Sequence, residues 1–127
     1  MNKLELLNLC VDGVKRTINN GFYGEEDVLK SLNHFSTIIL ETKDAFLAYA
    51  FAERMSLDCY ENEARMKAIQ FNDLQKTVIN SNNEEYMYLF ADRVIGADVK
   101  SIVHAMPKGT LRKKLERELR PLNEYSL

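Results

Sequence analysis

The sequence predicts an all-α protein, built as antiparallel helical pairs in a compact helical bundle or a short irregular α-solenoid. Apolar residues recur at intervals of three and four along nearly the whole chain, which is the period of an amphipathic helix. Sustained alternation of apolar and polar residues, which marks a strand, is almost absent. The breaks between apolar segments are short, and short connections make neighbouring helices pack antiparallel. We therefore expect about seven helices, joined by connections of about 2–6 residues.

The first predicted helix begins near Leu4 and ends at the segment "NNGFYG" (19–24). Its apolar stripe consists of Leu4, Leu7, Val11, Val14 and Ile18. Gly21 is expected to take the left-handed conformation that often ends a helix. Gly13 lies in mid-helix, where glycine costs about 1 kcal/mol against alanine, so it indicates a close approach by a neighbouring helix.

The second and third helices flank a short polar junction. The second begins near Glu25, where three consecutive acidic residues oppose the positive end of the helix dipole. The segment "ETKD" (41–44) forms the junction, with Thr42 as the N-cap of the third helix. The third helix carries apolar residues as far as Met55, and "SLDCY" (56–60) is predicted to be a turn.

The remaining helices follow from the same rules. A long helix is predicted over 61–79, followed by the polar break "NSNN" and a helix that ends at Gly96. Asp98 is expected to cap a short helix. The last helix begins at Thr110 and is expected to end by Pro121, because proline lacks the amide hydrogen that a helix interior needs.

Length and composition favour one ordinary globular unit. A chain of 127 residues has the length of a single α-helical domain over 1–127, and its net charge of −2 gives the whole molecule no preference for polyanions. Cys10 and Cys59 lie far apart in sequence, which favours reduced, buried thiols over a disulfide. No segment has the apolar run of a leader or the roughly 18 apolar residues that span a bilayer, so we expect a cytoplasmic protein that does not bind a membrane.

Two nine-residue segments resemble each other, "LAYAFAERM" (47–55) and "YMYLFADRV" (86–94). Each follows an apolar helix and a polar break, which predicts repeat-like units at about 35–60 and 73–96 and a partial third at 98–106. The unit resembles short, degenerate α-helical repeats with a "YxFAxxVxGADI" core that occur in uncharacterised proteins of bacteria and their phages. That resemblance implies stacked helices and no particular activity, catalytic residue or partner.

The sequence contains no recognisable catalytic or metal-binding constellation. His34 and His104 are the only histidines, and each is expected to be partly buried among apolar neighbours. The five glycines never approach the spacing of a phosphate-binding loop. The acidic groups at 25–27 and 84–85 lie at helix starts, where capping explains them. We therefore predict a non-enzymatic protein without a metal or cofactor.

Two pairs of residues are candidates for binding a partner. Arg54 and Arg93 occupy matching positions in the two similar segments, and they either line a shared anion-binding face or form local ion pairs on a solvated surface. Phe22 and Tyr23 lie between two glycines. These aromatic residues either anchor a protein partner or fold back onto the core, and we favour folding back.

Positive charge is concentrated in the C-terminal helix (110–120) and the residues just before it. Six basic residues and two acidic ones give 108–120 a net charge of +4, which leaves −6 for the rest of the chain. The basic residues are Lys108, Arg112, Lys113, Lys114, Arg117 and Arg120. Leucines at the intervening helical positions form the opposite face, so the basic face points outward. This face either binds nucleic-acid phosphates or an acidic partner, or only complements the acidic body of the molecule.

The leading functional hypothesis is a protein–protein interaction module, a candidate for a small phage or mobile-element factor that binds or inhibits a host protein. The predicted partner-binding residues are Phe22, Tyr23, Arg54, Arg93, Lys113, Lys114, Arg117 and Arg120. The alternative is a nucleic-acid-binding accessory protein that uses the basic C-terminal helix. Salt-dependent binding to DNA or RNA would distinguish the two.

Overall fold

Eight helices make up the part of the chain that the computed structural model describes, which is residues 1–125, with side chains described for residues 1–119. They are α1 (Lys3–Asn19), α2 (Glu25–Glu41), α3 (Ala45–Cys59), α4 (Glu63–Ala68), α5 (Phe71–Asn80), α6 (Glu84–Arg93), α7 (Val99–Ala105) and α8 (Thr110–Tyr125). Residues 1–125 contain no strand, so the all-α prediction is confirmed.

The helices are arranged as a row with a second set packed against it. Helices α1, α3, α6 and α8 form the row, in which each helix contacts the next, and α2, α4, α5 and α7 pack against them. Helix α3 lies at the centre, where Leu47 through Ala52 are all buried. The first half of α3 is buried on every side and has no polar face, which explains why 45–52 is apolar throughout, whereas its second half exposes Arg54, Leu57 and Asp58.

The four helices of the row run parallel to one another. Lys3, the first residue of α1, forms an ion pair with Asp44, which caps the start of α3. The rings of Phe46 and Tyr86 lie 5.9 Å apart and join the first turns of α3 and α6. Helices α6 and α8 meet through their second turns. The starts of the row helices therefore share one edge of the molecule, and their ends share the opposite edge.

We name these two edges by the segments that form them. The N-edge contains the segments 42–44, 81–83 and 106–109, which lead into α3, α6 and α8. The C-edge contains the segments 20–24, 60–62 and 94–98, which follow α1, α3 and α6.

Gly13 lies at a close contact between α1 and α2, as its mid-helix position predicts. The ring of Phe35 on α2 packs over the backbone at Gly13, where an added β-carbon would collide with it. Most of the predicted stripe of α1 packs inside the molecule, since Leu7, Val11 and Val14 are buried and Ile18 is partly buried, whereas Leu4 at its start is exposed.

The predicted ends of the first two helices need correction. Gly21 does not have a positive φ, and α1 instead ends at Asn20 in an extended conformation. Thr42 is the C-cap of α2 rather than the N-cap of α3, because its hydroxyl donates back to the Ile39 carbonyl at 2.6 Å. Asp44 caps α3, and its carboxylate accepts the Leu47 amide at 2.9 Å.

The predicted turn at 56–60 is wrong, because α3 continues to Cys59. Ser56 and Cys59 are both buried, and the Ser56 hydroxyl is satisfied within the helix by the Glu53 carbonyl at 3.2 Å. A buried serine that is satisfied in this way does not break a helix.

The predicted helix over 61–79 is two helices, α4 and α5, separated at Gln70. Gln70 is in the left-handed region with φ of 56°. Its side-chain amide donates to the hydroxyls of Ser36 and Thr37 on α2, both at 2.9 Å. Hydrogen bonds to α2 therefore stabilise this helix break, although the sequence has no glycine or proline at the position.

The predicted end of the last helix is also wrong, since α8 continues through Pro121 to Tyr125. A proline removes one amide donor from the backbone, and a helix can continue past that single lost bond at a cost in stability.

Candidate functional site

Five of the eight large hydrophobic side chains that are exposed among the described residues belong to the C-edge or to the last turn of the helix leading into it. They are Phe22, Tyr23, Leu57, Tyr60 and Ile95, which we call the C-edge cluster. The other three, Met1, Leu4 and Leu9, lie in the first half of α1 or just before it. Three separate segments of the chain thus contribute apolar side chains to the same edge.

The loop between α1 and α2 holds its two aromatic residues outward. The Asn20 side chain accepts the Phe22 amide at 3.0 Å, and the Asn20 carbonyl accepts the Tyr23 amide at 3.1 Å. Phe22 is 96% exposed and Tyr23 is 50% exposed. The expectation that these rings fold back onto the core is therefore wrong, because the backbone bonds to Asn20 turn the loop away from it.

The second part of the cluster comes from the ends of α3 and α6. Tyr60 follows α3 directly, and Gly96 follows α6 in a conformation with φ of 91°. A β-carbon at Gly96 would lie 3.1 Å from Met66 and 4.0 Å from the ring of Tyr60. Glycine at this position therefore allows the two helix ends to meet, and Ile95 lies beside this contact in sequence.

An open hollow of about 480 Å³ adjoins this contact. Its apolar lining comes from Met66, Phe71 and Gly96, and polar residues of α4 and α5 complete it. Leu57 and Tyr60 are not among the predicted partner-binding residues, because the sequence predicts a turn at 56–60. The spacing of Met55 and Cys59, four residues apart, could have indicated that α3 continues to Cys59. A helix continued in this way places both residues on its buried face and Leu57 on its exposed face.

An ion pair ties the helices of the C-edge together. Arg65 on α4 donates to both carboxylate oxygens of Glu25, at 2.7 and 2.9 Å, and to the Asp58 carbonyl at 2.9 Å. These hydrogen bonds lower the pKa of Glu25 and raise the pKa of Arg65. A planar guanidinium suits such a two-point contact. The start of α2 and the end of α3 are thereby fixed relative to each other.

The two matching arginines each lie at an interface between row helices. Arg54 on α3 donates to the Asn8 side chain of α1 at 3.1 Å. Arg93 on α6 lies close enough to the Tyr49 hydroxyl of α3 to oppose the rise in its pKa, which burial and then Glu53 cause. Each arginine thus reaches back to the preceding helix of the row, although both side chains remain exposed.

The basic helix α8 packs against the protein through its leucines, and some of its basic side chains contact other residues of the same chain. Leu115 is buried, and Leu111 and Leu119 are partly buried. The Lys114 ammonium lies 5.1 Å from the centroid of the Tyr88 ring on α6, and hydrogen bonding to Tyr88 raises the pKa of Lys114.

The remaining basic residues of α8 divide into two groups. Arg112 pairs with Glu116 at 2.9 Å and donates to the Met106 carbonyl at 3.0 Å. Lys113 and Arg117 are exposed. The side chain of Arg120, also a predicted binding residue, lies outside the described residues.

The two cysteines are buried and unpaired, as predicted. Burial raises the pKa of Cys10, and it raises the pKa of Cys59 from 9.0 to about 12. Because the thiolate is the reactive species, both thiols are weak nucleophiles at neutral pH in the folded protein.

The histidines differ from the prediction, because both His34 and His104 are exposed. His34 packs edge-on against Phe35 with ring centroids 4.9 Å apart. Within the described part of the chain, no three or more histidine, cysteine, aspartate or glutamate residues are grouped so that they could hold a metal ion.

Comparison with known proteins adds no family assignment. No protein-family model, curated protein or solved structure matches this chain. Among the described residues, no helix combines the length and the apolar character needed to cross a membrane.

Proposed function

We propose that this chain is a protein-interaction module that acts without catalysis and binds its partner through the C-edge cluster. The observation that carries the proposal is the gathering of five exposed hydrophobic side chains from three segments at one edge. Exposed aromatic side chains on an ordered backbone dominate the binding energy of protein interfaces, because they bury a large area at a low entropic cost.

The order of the backbone under the cluster supports this proposal. The Asn20 turn, the Arg65 ion pair and the Gly96 contact hold three segments in place before any partner arrives. Preorganisation of this kind lowers the entropic cost of binding. We further propose that the protein acts in the cytoplasm as a small phage or mobile-element factor and that its partner is a host protein, which it binds or inhibits.

Affinity capture from an extract of the native host tests the proposal. The test variant replaces Phe22, Tyr23 and Tyr60 by alanine, and the matched control replaces Leu4 and Leu9, which are 58% and 47% exposed on α1. We expect a specific protein that the wild type and the control capture and that the test variant loses. Capture that survives in the test variant would contradict the use of this edge.

A second candidate function is nucleic-acid binding by α8. Its support is the exposure of Lys113 and Arg117 on the outer face of a helix docked through leucines. Phosphate contacts by such residues make binding strongly dependent on salt. If α8 binds nucleic acid, the variant Lys113→Glu with Arg117→Glu should abolish binding to DNA or RNA at low salt. A DNA or RNA probe that the wild type does not bind at low salt would rule this function out.

A further inference from the structure

The segments that form and adjoin the C-edge are strongly acidic. Residues 20–27, 57–67 and 94–98 contain seven acidic residues and two basic ones, Lys67 and Arg65, of which Arg65 is already bound to Glu25. Counted over the connecting segments alone, the C-edge contains Glu61 and Asp98 and no basic residue, whereas the N-edge contains Lys43 and Lys108 against Asp44. The exposed apolar cluster therefore lies in the more negative of the two edges.

Several of these acidic side chains remain available to a partner. Glu26, Asp58, Glu61 and Glu63 are exposed and form no salt bridge with the described side chains. Glu61 follows Tyr60 directly, and Glu63 and Asp73 line the hollow together with one cation, Lys67. Negative charge thus outnumbers positive charge around the apolar surface, and interfaces generally pair such charge with the opposite sign on the partner.

We propose that the C-edge cluster binds a cationic segment of another protein, one that presents a large apolar side chain flanked by lysine or arginine. The apolar side chain enters the hollow next to Gly96, and the flanking cations face Glu26, Glu61 and Glu63. This inference rests on the proposed function, since it specifies the chemistry of the partner at the same surface. The same charge pattern repels nucleic-acid phosphates from this edge.

A selection from a randomised dodecapeptide display library, with the full-length protein as bait, tests the inference. Counter-selection uses the variant Tyr60→Ala with Ile95→Ala, so that only peptides that need the C-edge survive. We expect the surviving peptides to carry a net positive charge and at least one large apolar residue. A surviving pool without positive charge would overturn the inference, as would the recovery of no peptide that depends on the C-edge.

A pair of charge-matched variants then measures the role of charge with one selected peptide. The test variant is Glu26→Lys with Glu61→Lys at the C-edge, and the control is Glu41→Lys with Glu85→Lys near the N-edge. Each Glu→Lys change adds two positive charges, so both variants move the net charge from −2 to +2. We expect the test variant to bind the peptide about tenfold more weakly and the control less than about twofold more weakly. Equal losses in the two variants would contradict a local charge effect.

Capture of the native partner by the two kinds of variant distinguishes a failure of this inference from a failure of the proposed function. A partner that is lost with the alanine variant but retained with Glu26→Lys and Glu61→Lys would leave the interaction module standing and refute the cationic segment. Self-association of the chain through the C-edge, seen by analytical ultracentrifugation, would also refute it, because the occupant would then be a second copy.

Discussion

Arg65 holds Glu25 through both carboxylate oxygens, at 2.7 and 2.9 Å, across 40 residues of sequence. The same guanidinium binds the Asp58 carbonyl at 2.9 Å. The start of α2, the end of α3 and the short helix α4 therefore meet at one side chain, close in sequence to Tyr23 and Leu57 of the C-edge cluster. The pair matters because it connects the stability of the fold with the geometry of the candidate binding surface.

Replacing Arg65 by methionine should lower the urea midpoint at neutral pH and loosen the C-edge. Arg65 holds the pKa of Glu25 below its ordinary value of 4.5, so the pair stabilises the folded state above that pH. This contribution is lost as the pH falls through the lowered folded-state pKa. The midpoints of wild type and variant should consequently converge on acidification. A difference that stays constant from about pH 7 to about pH 3 would contradict this assignment.

Replacing Gly13 by alanine should destabilise the protein by about 1–3 kcal/mol, because the new methyl group would collide with the ring of Phe35. Helix propensity alone predicts the opposite, a gain of about 1 kcal/mol. Urea denaturation decides between the two signs. Adding Phe35→Leu should recover part of the loss, since the smaller side chain leaves room for the methyl group.

Substitutions at Gln70 should separate backbone strain from side-chain hydrogen bonding. Gln70→Ala loses the bonds to Ser36 and Thr37 while keeping the positive φ, so the free energy of unfolding should fall by about 1–3 kcal/mol. Gln70→Gly loses the same bonds but relieves the strain, and it should be about 1 kcal/mol more stable than the alanine variant. Alanine and glycine variants of equal stability would show that the left-handed conformation is not retained.

The two cysteines should react with a thiol reagent only when the protein unfolds. Burial raises the pKa of Cys59 to about 12, so the protonated thiol is the stable form in the fold. Its contribution to stability is fully present below the unfolded pKa of 9.0 and is lost as the pH rises toward 12. Labelling at about pH 8 should follow the unfolded fraction across a urea titration. Rapid labelling of both thiols without denaturant would contradict their burial.

The helical class and most helix positions could be predicted, because the apolar period and the capping residues are local signals. The close helix contact at Gly13 could also be predicted, since glycine in mid-helix lowers helix stability and packing must offset that loss. The break at Gln70 could not be predicted, because the hydroxyls that hold it belong to α2, more than 30 residues away. A local break signal such as glycine or proline is absent there.

The candidate site was harder to predict than the fold. Phe22 and Tyr23 could be identified as candidates because they are aromatic residues between glycines. Whether their rings face solvent or the core depends on the turn at Asn20. Leu57, Tyr60 and Ile95 join them only because α1, α3 and α6 run parallel and end at the same edge. The orientation of helices in a row is a tertiary property that no single segment encodes.

Site-specific photo-crosslinking tests the central claim most directly. A benzophenone amino acid placed at Tyr60 should form a covalent adduct with a protein partner in an extract of the native host. The same group at Glu41, on the exposed last turn of α2 near the N-edge, should form none. Adducts at Glu41 with none at Tyr60 would contradict the claim that this protein binds its partner through the C-edge.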